Sequence, residues 1–173
     1  MRLWEAAMRD EVMELAYRAV LIGAGATVAM DLWAIARKRL LGMPSLDYAL
    51  VGRWLAHLPR GRFFHHPIGA SPAVQGERLL GWIAHYAIGI AFAGVLLAIW
   101  GLDWSRKPTP VPALIVGLGS VAAPFLLMQP AMGAGIAASR TPRPAMARLN
   151  SLMTHGVFGL GLYAAGWITS AFG

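Results

Sequence analysis

The sequence predicts an all-α membrane protein built as a bundle of four transmembrane helices. Four long apolar runs carry this prediction, and they cover residues 17–35, 79–100, 112–128 and 149–171. A helix needs roughly 20 apolar residues, and at least about 17, to cross the hydrocarbon core of a bilayer. The composition agrees, because 57% of the residues are hydrophobic and only 13% are charged, against about 25% charged residues in soluble domains. The 173 residues are predicted to form a single domain, with no room for a separate soluble one.

The first element is an amphipathic segment that leads into span one. Its apolar residues fall on one face at helical spacing: Trp4, Met8, Val12 and Leu15. Residues 4–18 are therefore predicted to form an interfacial helix. Acidic residues interrupt the stretch where the apolar core of a signal peptide would lie, so a cleavable signal is not expected.

The first loop, residues 36–76, is long enough to hold a second amphipathic helix. Its apolar residues recur at intervals of three and four: Tyr48, Val51, Trp54, Leu55 and Leu58. Ser45 is the predicted N-cap, and the helix is expected to stop before Pro59. This helix is predicted to lie on the cytoplasmic face of the membrane.

Span three contains Pro124 in its interior and ends at Gln129-Pro130, so its last turns lack two backbone donors. We expect a kinked or unwound turn there, either as a plain proline kink or as the lining of a cavity. Glycines are frequent in spans one and four: Gly23, Gly25, Gly156, Gly159, Gly161 and Gly166. They are predicted to mark close helix packing, and room for a ligand is the alternative.

Positive charge is distributed unevenly between the two sides of the predicted bundle. The net charge is +7, and ten Lys and Arg residues fall in loops one and three or at the adjoining helix ends, against five on the other side. Cytoplasmic loops retain basic residues, so these two loops are predicted to be cytoplasmic and both termini periplasmic. The aromatic-interleaved basic pattern of RNA-binding motifs is missing from the sequence, so no nucleic-acid partner is expected.

All four spans contribute polar residues to the same half of the predicted bundle. They are Asp31, Glu77, His85, Gln129, Asn150, Ser151 and His155. Glu77 and His85 lie eight residues apart and share a helical face, and at 1.5 Å per residue His85 is ~12 Å beyond Glu77. His155 is ~10 Å beyond Arg148, so the two histidines reach a similar depth from one side. Ionisable groups are costly inside a bilayer, so this set is the predicted ligand-binding site, open to the cytoplasm.

Three interpretations of this set stay open. The first is a hydrogen-bonded network that only fixes helix packing, as in a structural or assembly subunit without a ligand. The second is a metal or haem site, or a membrane enzyme, that uses His85 and His155, although the sequence contains neither an H-E-x-x-H nor an E-x-x-H motif. The third, which we favour, is a proton- or ion-linked path for a small solute. Ser151 and His155 are i,i+4 neighbours that could touch, but no oxyanion site for covalent catalysis is legible.

The two basic loops carry candidate contacts for anionic lipid headgroups on the cytoplasmic face. These residues are Arg60, Arg62, Arg140, Arg143 and Arg148. A glycine-rich turn, Gly133-Ala134-Gly135, precedes the last three, and its backbone amides could cradle a phosphate. Simple control of topology is the alternative role of the arginines. The lipid bilayer is the predicted partner, and a second copy of the chain or a membrane complex is the other partner considered; no particular cofactor is predicted.

The same residues carry a resemblance to a family of uncharacterised bacterial inner-membrane proteins catalogued as domain of unknown function 2938. The stretches that resemble it include Gly25-Ala26-Thr27, Met30-Asp31-Leu32-Trp33, Gly76-Glu77, Ala84-His85-Tyr86, Gln129-Pro130 and Thr154-His155-Gly156. Together they extend over nearly the whole chain. The resemblance implies a four-span protein of the bacterial inner membrane, and it supplies no substrate or reaction.

Overall fold

The computed structural model describes residues 2–43 and 45–172. Over these residues the chain is helical and contains no β-strand, so the predicted all-α class is confirmed there. The helices are α1 (Arg2–Leu41), α2 (Tyr48–His57), α3 (Glu77–Arg106), α4 (Pro110–Gly119), α5 (Gln129–Ala131) and α6 (Pro144–Ser170). Short 3-10 turns lie at Leu58–Arg60, Ile68–Ala70 and Ile136–Ala138, and a π-helix lies at Ala123–Met128 between α4 and α5.

Three helical stretches of the described chain are long and apolar enough to cross a membrane: Trp4–Leu41, Glu77–Arg106 and Pro110–Ala131. Many of their large apolar side chains are not covered by the protein. Leu32, Ile99 and Ile115, for example, are each more than half exposed. An apolar surface of this extent fits lipid surroundings rather than water.

The fourth predicted span corresponds to α6, which differs from the other three stretches. At 27 residues α6 has the length to cross a bilayer. Its first half is less apolar, because Arg148, Asn150 and His155 lie along it. The structure therefore identifies three spans by length and composition, and the fourth stays a prediction.

The first helix differs from the prediction of an interfacial helix followed by a separate span. α1 is one continuous helix of 40 residues. Neither glycine nor proline lies between Arg2 and Ile22, so nothing in this part of the sequence breaks the helical hydrogen bonding. At 1.5 Å per residue α1 is ~60 Å long, about twice the thickness of a hydrocarbon core.

The second amphipathic helix is confirmed, but its N-cap is not the predicted Ser45. α2 begins at Tyr48, and its N-cap is Asp47, whose carboxylate accepts a hydrogen bond from the Ala49 amide at 3.0 Å. Serine and aspartate both cap helices well, so residue type does not distinguish Ser45 from Asp47. The helix ends at His57, and Pro59 falls in the following 3-10 turn, as expected.

Small residues set the close packing of the long helices. α1 packs on both α3 and α6, and α6 also packs on α4. A Cβ atom on Gly23 would overlap the Ile90 backbone of α3, and one on Gly161 would come within 2.9 Å of Ala26 Cα. The predicted packing role is confirmed for these glycines. The largest fully buried apolar side chains are Ile22, Leu96, Leu97 and Leu162.

The irregularity predicted for span three is also confirmed. α4 ends at Gly119, and after residues 120–122 the chain continues as the π-helix that contains Pro124. Proline lacks the amide hydrogen that a regular α-helix uses at this point. Ser120 lies in the break and is buried.

The first and third loops contact each other at one end of the molecule. The His65 amide donates to the Ala131 carbonyl at 2.8 Å, and the Ile68 amide donates to the Met132 carbonyl at 3.0 Å. At the other end Arg106 of α3 forms an ion pair with Glu14 in the first half of α1. The two basic loops therefore share one end of the structure.

Candidate functional site

The polar residues of the long helices converge most closely around Asp31. Nε2 of His85 on α3 lies 3.0 Å from Oδ1 of Asp31 on α1. The Tyr86 hydroxyl donates to Oδ2 of Asp31 at 3.0 Å. The hydroxyl of Tyr48, the first residue of α2, lies 3.0 Å from the same Nε2 of His85. We call Asp31, Tyr48, His85 and Tyr86 the Asp31 cluster.

Close docking of α2 on α3 holds Tyr48 in this position. A Cβ atom on Gly81 of α3 would overlap the carbonyl group of Tyr48, so the two helices touch through their backbones. The Tyr48 ring stacks on the His85 ring with centroids 4.1 Å apart. Trp82 covers the tyrosine from another side, at a centroid distance of 4.7 Å. The cluster is thus walled by aromatic rings.

One ring nitrogen in the cluster faces two oxygen atoms. An imidazole nitrogen carries either a hydrogen or a lone pair. When Nε2 of His85 carries the hydrogen, it donates to Asp31; when it carries the lone pair, it accepts from Tyr48. Burial, reinforced by the negative charge of Asp31, raises the pKa of Tyr48 well above its ordinary value, so the phenol keeps its proton. The position of one proton therefore decides which of the two contacts is a good hydrogen bond.

Glu77, a member of the predicted site, does not join His85 in the Asp31 cluster. Both residues contact α2, but His85 lies beside Tyr48 and Glu77 lies beside Arg53. Glu77 accepts two hydrogen bonds from Arg53, from Nε at 2.9 Å and from Nη2 at 2.7 Å. The physical reason is the ion pair, which holds Glu77 beside Arg53 of α2, more than one turn beyond Tyr48.

The Arg53 and Glu77 pair also fastens the first loop. Nη1 of Arg53 donates to the carbonyls of Gly69 and Ser71, at 3.3 and 3.1 Å. The Val74 amide donates to Oε2 of Glu77 at 2.8 Å. We call Arg53, Gly69, Ser71, Val74 and Glu77 the Arg53 clamp. These bonds hold the first loop against α2 and α3, which is a structural role.

His155 has a different partner from His85. Nδ1 of His155 lies 2.7 Å from Oγ of Ser120, which in turn lies 2.6 Å from the Gly117 carbonyl. His155 therefore bonds across to the break after α4, not to Ser151, its i,i+4 neighbour. Within residues 2–43 and 45–172, no three His, Asp or Glu side chains come together as a metal site. A metal or haem site at the two histidines stays a prediction.

The remaining predicted ligand residues lie outside both groups. Oε1 of Gln129 and Oδ1 of Asn150 are buried, and neither meets a hydrogen-bond partner among the described residues. Ser151 is half-buried. Of the seven predicted ligand residues, the structure therefore joins only Asp31 and His85 by a side-chain hydrogen bond.

The five arginines predicted to contact lipid headgroups are all exposed: Arg60, Arg62, Arg140, Arg143 and Arg148. Arg140 lines an open groove of about 350 Å³ with Phe64 and His66, where the first and third loops meet. The glycine-rich turn is less available than predicted, because the Gly133 amide donates to the Pro130 carbonyl and the Ala134 amide to the Gln129 carbonyl. Those two amides cannot also hold a phosphate.

Sequence reasoning missed Tyr48, Tyr86 and Arg53. In the sequence Tyr48 falls on an apolar helical face, and nothing there marks its hydroxyl as part of a site. Arg53 carried a usable signal, because it is the only Lys, Arg, Asp or Glu in α2. A lone charge in a short apolar helix indicates a partner in the fold.

Comparison with known proteins identifies one family. A model of the family described as "Protein of unknown function (DUF2938)" matches residues 20–169. The matched range includes every residue of the Asp31 cluster and of the Arg53 clamp. No curated protein and no solved structure matches the chain.

Proposed function

We propose that this chain, which belongs to the DUF2938 family, is a four-span membrane protein that binds or transports a small solute or ion, coupled to a proton, at the Asp31 cluster. In this proposal the protein lies in the bacterial inner membrane, with both termini periplasmic. The first and third loops face the cytoplasm, and solute reaches the cluster from that side.

The observation that supports this function is the His85 nitrogen that faces both Asp31 and Tyr48. In one arrangement Asp31 is a carboxylate and accepts from Nε2 of His85. In the other arrangement Asp31 has taken up one proton from the solution, neutral His85 carries its hydrogen on Nδ1, and Tyr48 donates to the lone pair of Nε2. A solute that contacts these groups favours one arrangement over the other, so its binding takes up or releases a proton.

A network that only fixed helix packing would give each polar group its own partner, because an unsatisfied buried group costs about 1–3 kcal/mol. The Arg53 clamp meets that condition. The Asp31 cluster leaves one of two contacts unsatisfied whichever way the proton lies. An ionisable group at this place costs at least about 2.5 kcal/mol on insertion scales, so a functional role is favoured over packing alone.

Two features support the proposed topology. α6 packs along α1 and α4, through Gly161 and Gly159, and so lies beside two segments that are apolar enough to cross a membrane. The exposed loop arginines gather at one end, where they would contact anionic headgroups of the cytoplasmic leaflet. A basic cytoplasmic surface is the expected result of the positive-inside rule.

Proton movement into liposomes tests the function directly. The purified full chain is reconstituted into liposomes that contain a pH-sensitive dye, and succinate, alanine, choline or Na⁺ is added outside. We expect at least one of these solute classes to change the internal pH faster than in protein-free liposomes. Asp31→Asn should abolish that change, because the amide cannot take up the proton.

Asp10→Asn is the matched control. Asp10 lies on the same helix, is exposed, and is remote from the cluster, so this variant should behave like the wild type. If Asp31→Asn moved protons at the wild-type rate, or if no solute class moved them in the wild type, proton-linked transport would be wrong.

A further inference from the structure

The guanidinium group of Arg37 is buried, and no carboxylate of the described chain pairs with it. Arg37 is only 8% exposed. Its Nε and Nη1 atoms are buried, and neither meets a hydrogen-bond partner in the described part of the chain. The same is true of Nε1 of Trp33, one turn earlier on α1. Two neighbouring side chains therefore present three buried donor nitrogens with nothing to receive their hydrogens.

The helical register places these donors in the seam between α1 and α6. Ala26 of α1 contacts Gly161 of α6 at backbone distance. Trp33 and Arg37 lie seven and eleven residues beyond Ala26, about two and three helical turns on, and so on the same face of α1. Asn150 lies eleven residues before Gly161 on the antiparallel α6, which puts it opposite Arg37 at the same level.

The chain has no carboxylate to spare for Arg37. It contains eight acidic residues. Five of them are engaged elsewhere, namely Glu14, Asp31, Asp47, Glu77 and Asp103. The other three are Glu5, Asp10 and Glu11, which lie near the start of α1. Even Glu11 is ~39 Å from Arg37 along the helix axis.

Asn150 alone cannot accept hydrogen bonds from all the buried donors of Arg37 and Trp33. A small shift that brought Oδ1 of Asn150 onto Arg37 would occupy one donor and leave the others unpaired. A buried charge with no partner costs several kcal/mol, so the counter-ion has to come from outside the chain. The surplus of donors means that this counter-ion must offer several acceptor oxygens.

We propose that Arg37 and Trp33 bind an oxyanion, a phosphate group, in the seam between α1 and α6. The planar guanidinium can donate in parallel to two oxygens of one phosphate, and the indole N–H of Trp33 supplies another bond. Rotating the side-chain amide of Asn150 by about 180° would exchange its NH2 group with Oδ1 and so add a donor from α6.

The phosphate belongs either to a lipid headgroup or to a free ion. Arg37 lies one turn before the end of α1 and is followed by the exposed Lys38 and Arg39, so it sits where a basic segment meets the headgroup layer. This site is separate from the Asp31 cluster, and it does not depend on the proposed transport function.

Thermal unfolding of the full chain in dodecyl maltoside, in phosphate-free buffer, tests the site. Short-chain phosphatidylglycerol and inorganic phosphate are titrated separately, with chloride added to constant ionic strength. We expect the unfolding midpoint of the wild type to rise with phosphatidylglycerol and to saturate. Arg37→Gln should weaken this binding about tenfold or more, because a hydrogen-bonded charge is lost. Arg39→Gln, which changes an exposed neighbour, should bind like the wild type.

Two further variants keep the test decisive if Arg37→Gln does not fold. Arg37→Lys keeps the charge but loses the parallel N–H donors of the guanidinium, and Trp33→Phe removes one donor. Each variant should therefore weaken binding by about threefold or more. A midpoint shift with phosphatidylglycerol alone assigns the site to a lipid, and a shift with inorganic phosphate as well assigns it to free phosphate. No saturable shift in the wild type, or an equal shift in all variants, would overturn the site.

Discussion

The Asp31 cluster and the Arg53 clamp each contain one carboxylate, and α2 contributes one residue to each group. The two carboxylates differ in how their hydrogen bonds are made. In the clamp Glu77 receives three hydrogen bonds, two from Arg53 and one from the Val74 amide. In the cluster Asp31 receives one bond from Tyr86 and shares His85 with Tyr48. One carboxylate has partners of its own, and the other competes for a partner.

This difference separates a structural ion pair from a candidate for proton chemistry. The hydrogen bonds to Glu77 raise the pKa of Arg53, so the guanidinium stays charged at every pH that the protein meets. The clamp therefore has one state, and it fixes the first loop to α3. The Asp31 cluster has two proton arrangements over the same heavy atoms, which is what a proton-linked site requires.

The largest expected effect comes from breaking the clamp. The two side chains are each only 14% exposed, so Arg53→Met leaves a largely buried carboxylate without its partner. We expect this variant to lower the free energy of unfolding by about 3 kcal/mol. Glu77→Gln should cost a similar amount. The double variant should cost much less than the sum of the two, because the interaction can be lost only once.

Unfolding in mixed detergent micelles measures these free energies. The matched control is the pair of Arg106 and Asp103, whose side chains are 51% and 96% exposed, and whose replacement should change stability little. Additive losses in the double variant of Arg53 and Glu77 would mean that the two residues do not act as a pair.

A smaller effect is expected from pushing α2 away from α3. Gly81→Ala adds a methyl group where the Tyr48 carbonyl already lies. We expect it to lower the free energy of unfolding by about 2 kcal/mol, as overpacking does. It should also separate Tyr48 from His85 and so impair the Asp31 cluster, while the bonds of the Arg53 clamp are kept.

Gly94→Ala on the same helix is the control, because a Cβ atom there meets nothing within 4 Å. Alanine forms helices better than glycine, by up to about 1 kcal/mol, so this variant should be neutral or slightly stabilised. Equal stability of the two variants would show that α2 and α3 are not in backbone contact at Gly81.

Much of the fold and part of the site could be predicted from the sequence, for identifiable physical reasons. Apolar length and helical periodicity located the long helices, and Pro124 located the irregular turn. Asp31 and His85 were placed in the same half of the bundle, because helical rise converts residue number into distance along a span. These are properties of single helices.

What the sequence could not predict depends on how helices dock. Tyr48 reaches His85 only because Gly81 lets α2 approach α3 closely. The helical face that Glu77 shares with His85 can be read from the sequence, whereas its bonds to Arg53 cannot. Likewise, a register between α1 and α6 is needed before Arg37 and Asn150 can be placed together. Contacts between elements, unlike periodicity within them, depend on three-dimensional packing.

The smallest effect is expected from removing only the hydroxyl group of Tyr48. Tyr48→Phe keeps the stacking on His85 and removes one hydrogen-bonding group, so at about pH 8 it should lower the free energy of unfolding by about 1 kcal/mol. Burial raises the pKa of Tyr48 in the folded protein. The contribution of its neutral phenol to stability is therefore fully present below the ordinary tyrosine pKa of about 10, and it is lost as the pH rises from there.

At about pH 11 the wild type should thus have lost about 1.4 kcal/mol that Tyr48→Phe does not lose, because one pH unit above the unfolded pKa corresponds to that free energy. The stability gap between the two proteins should then close, and Tyr48→Phe should become slightly the more stable of the two. Tyr17→Phe, at a tyrosine that is 64% exposed, should show no such change between the two pH values. A gap of constant size from pH 8 to pH 11 would mean that the Tyr48 phenol is as free to ionise in the folded protein as in the unfolded chain, and that the Asp31 cluster does not enclose it.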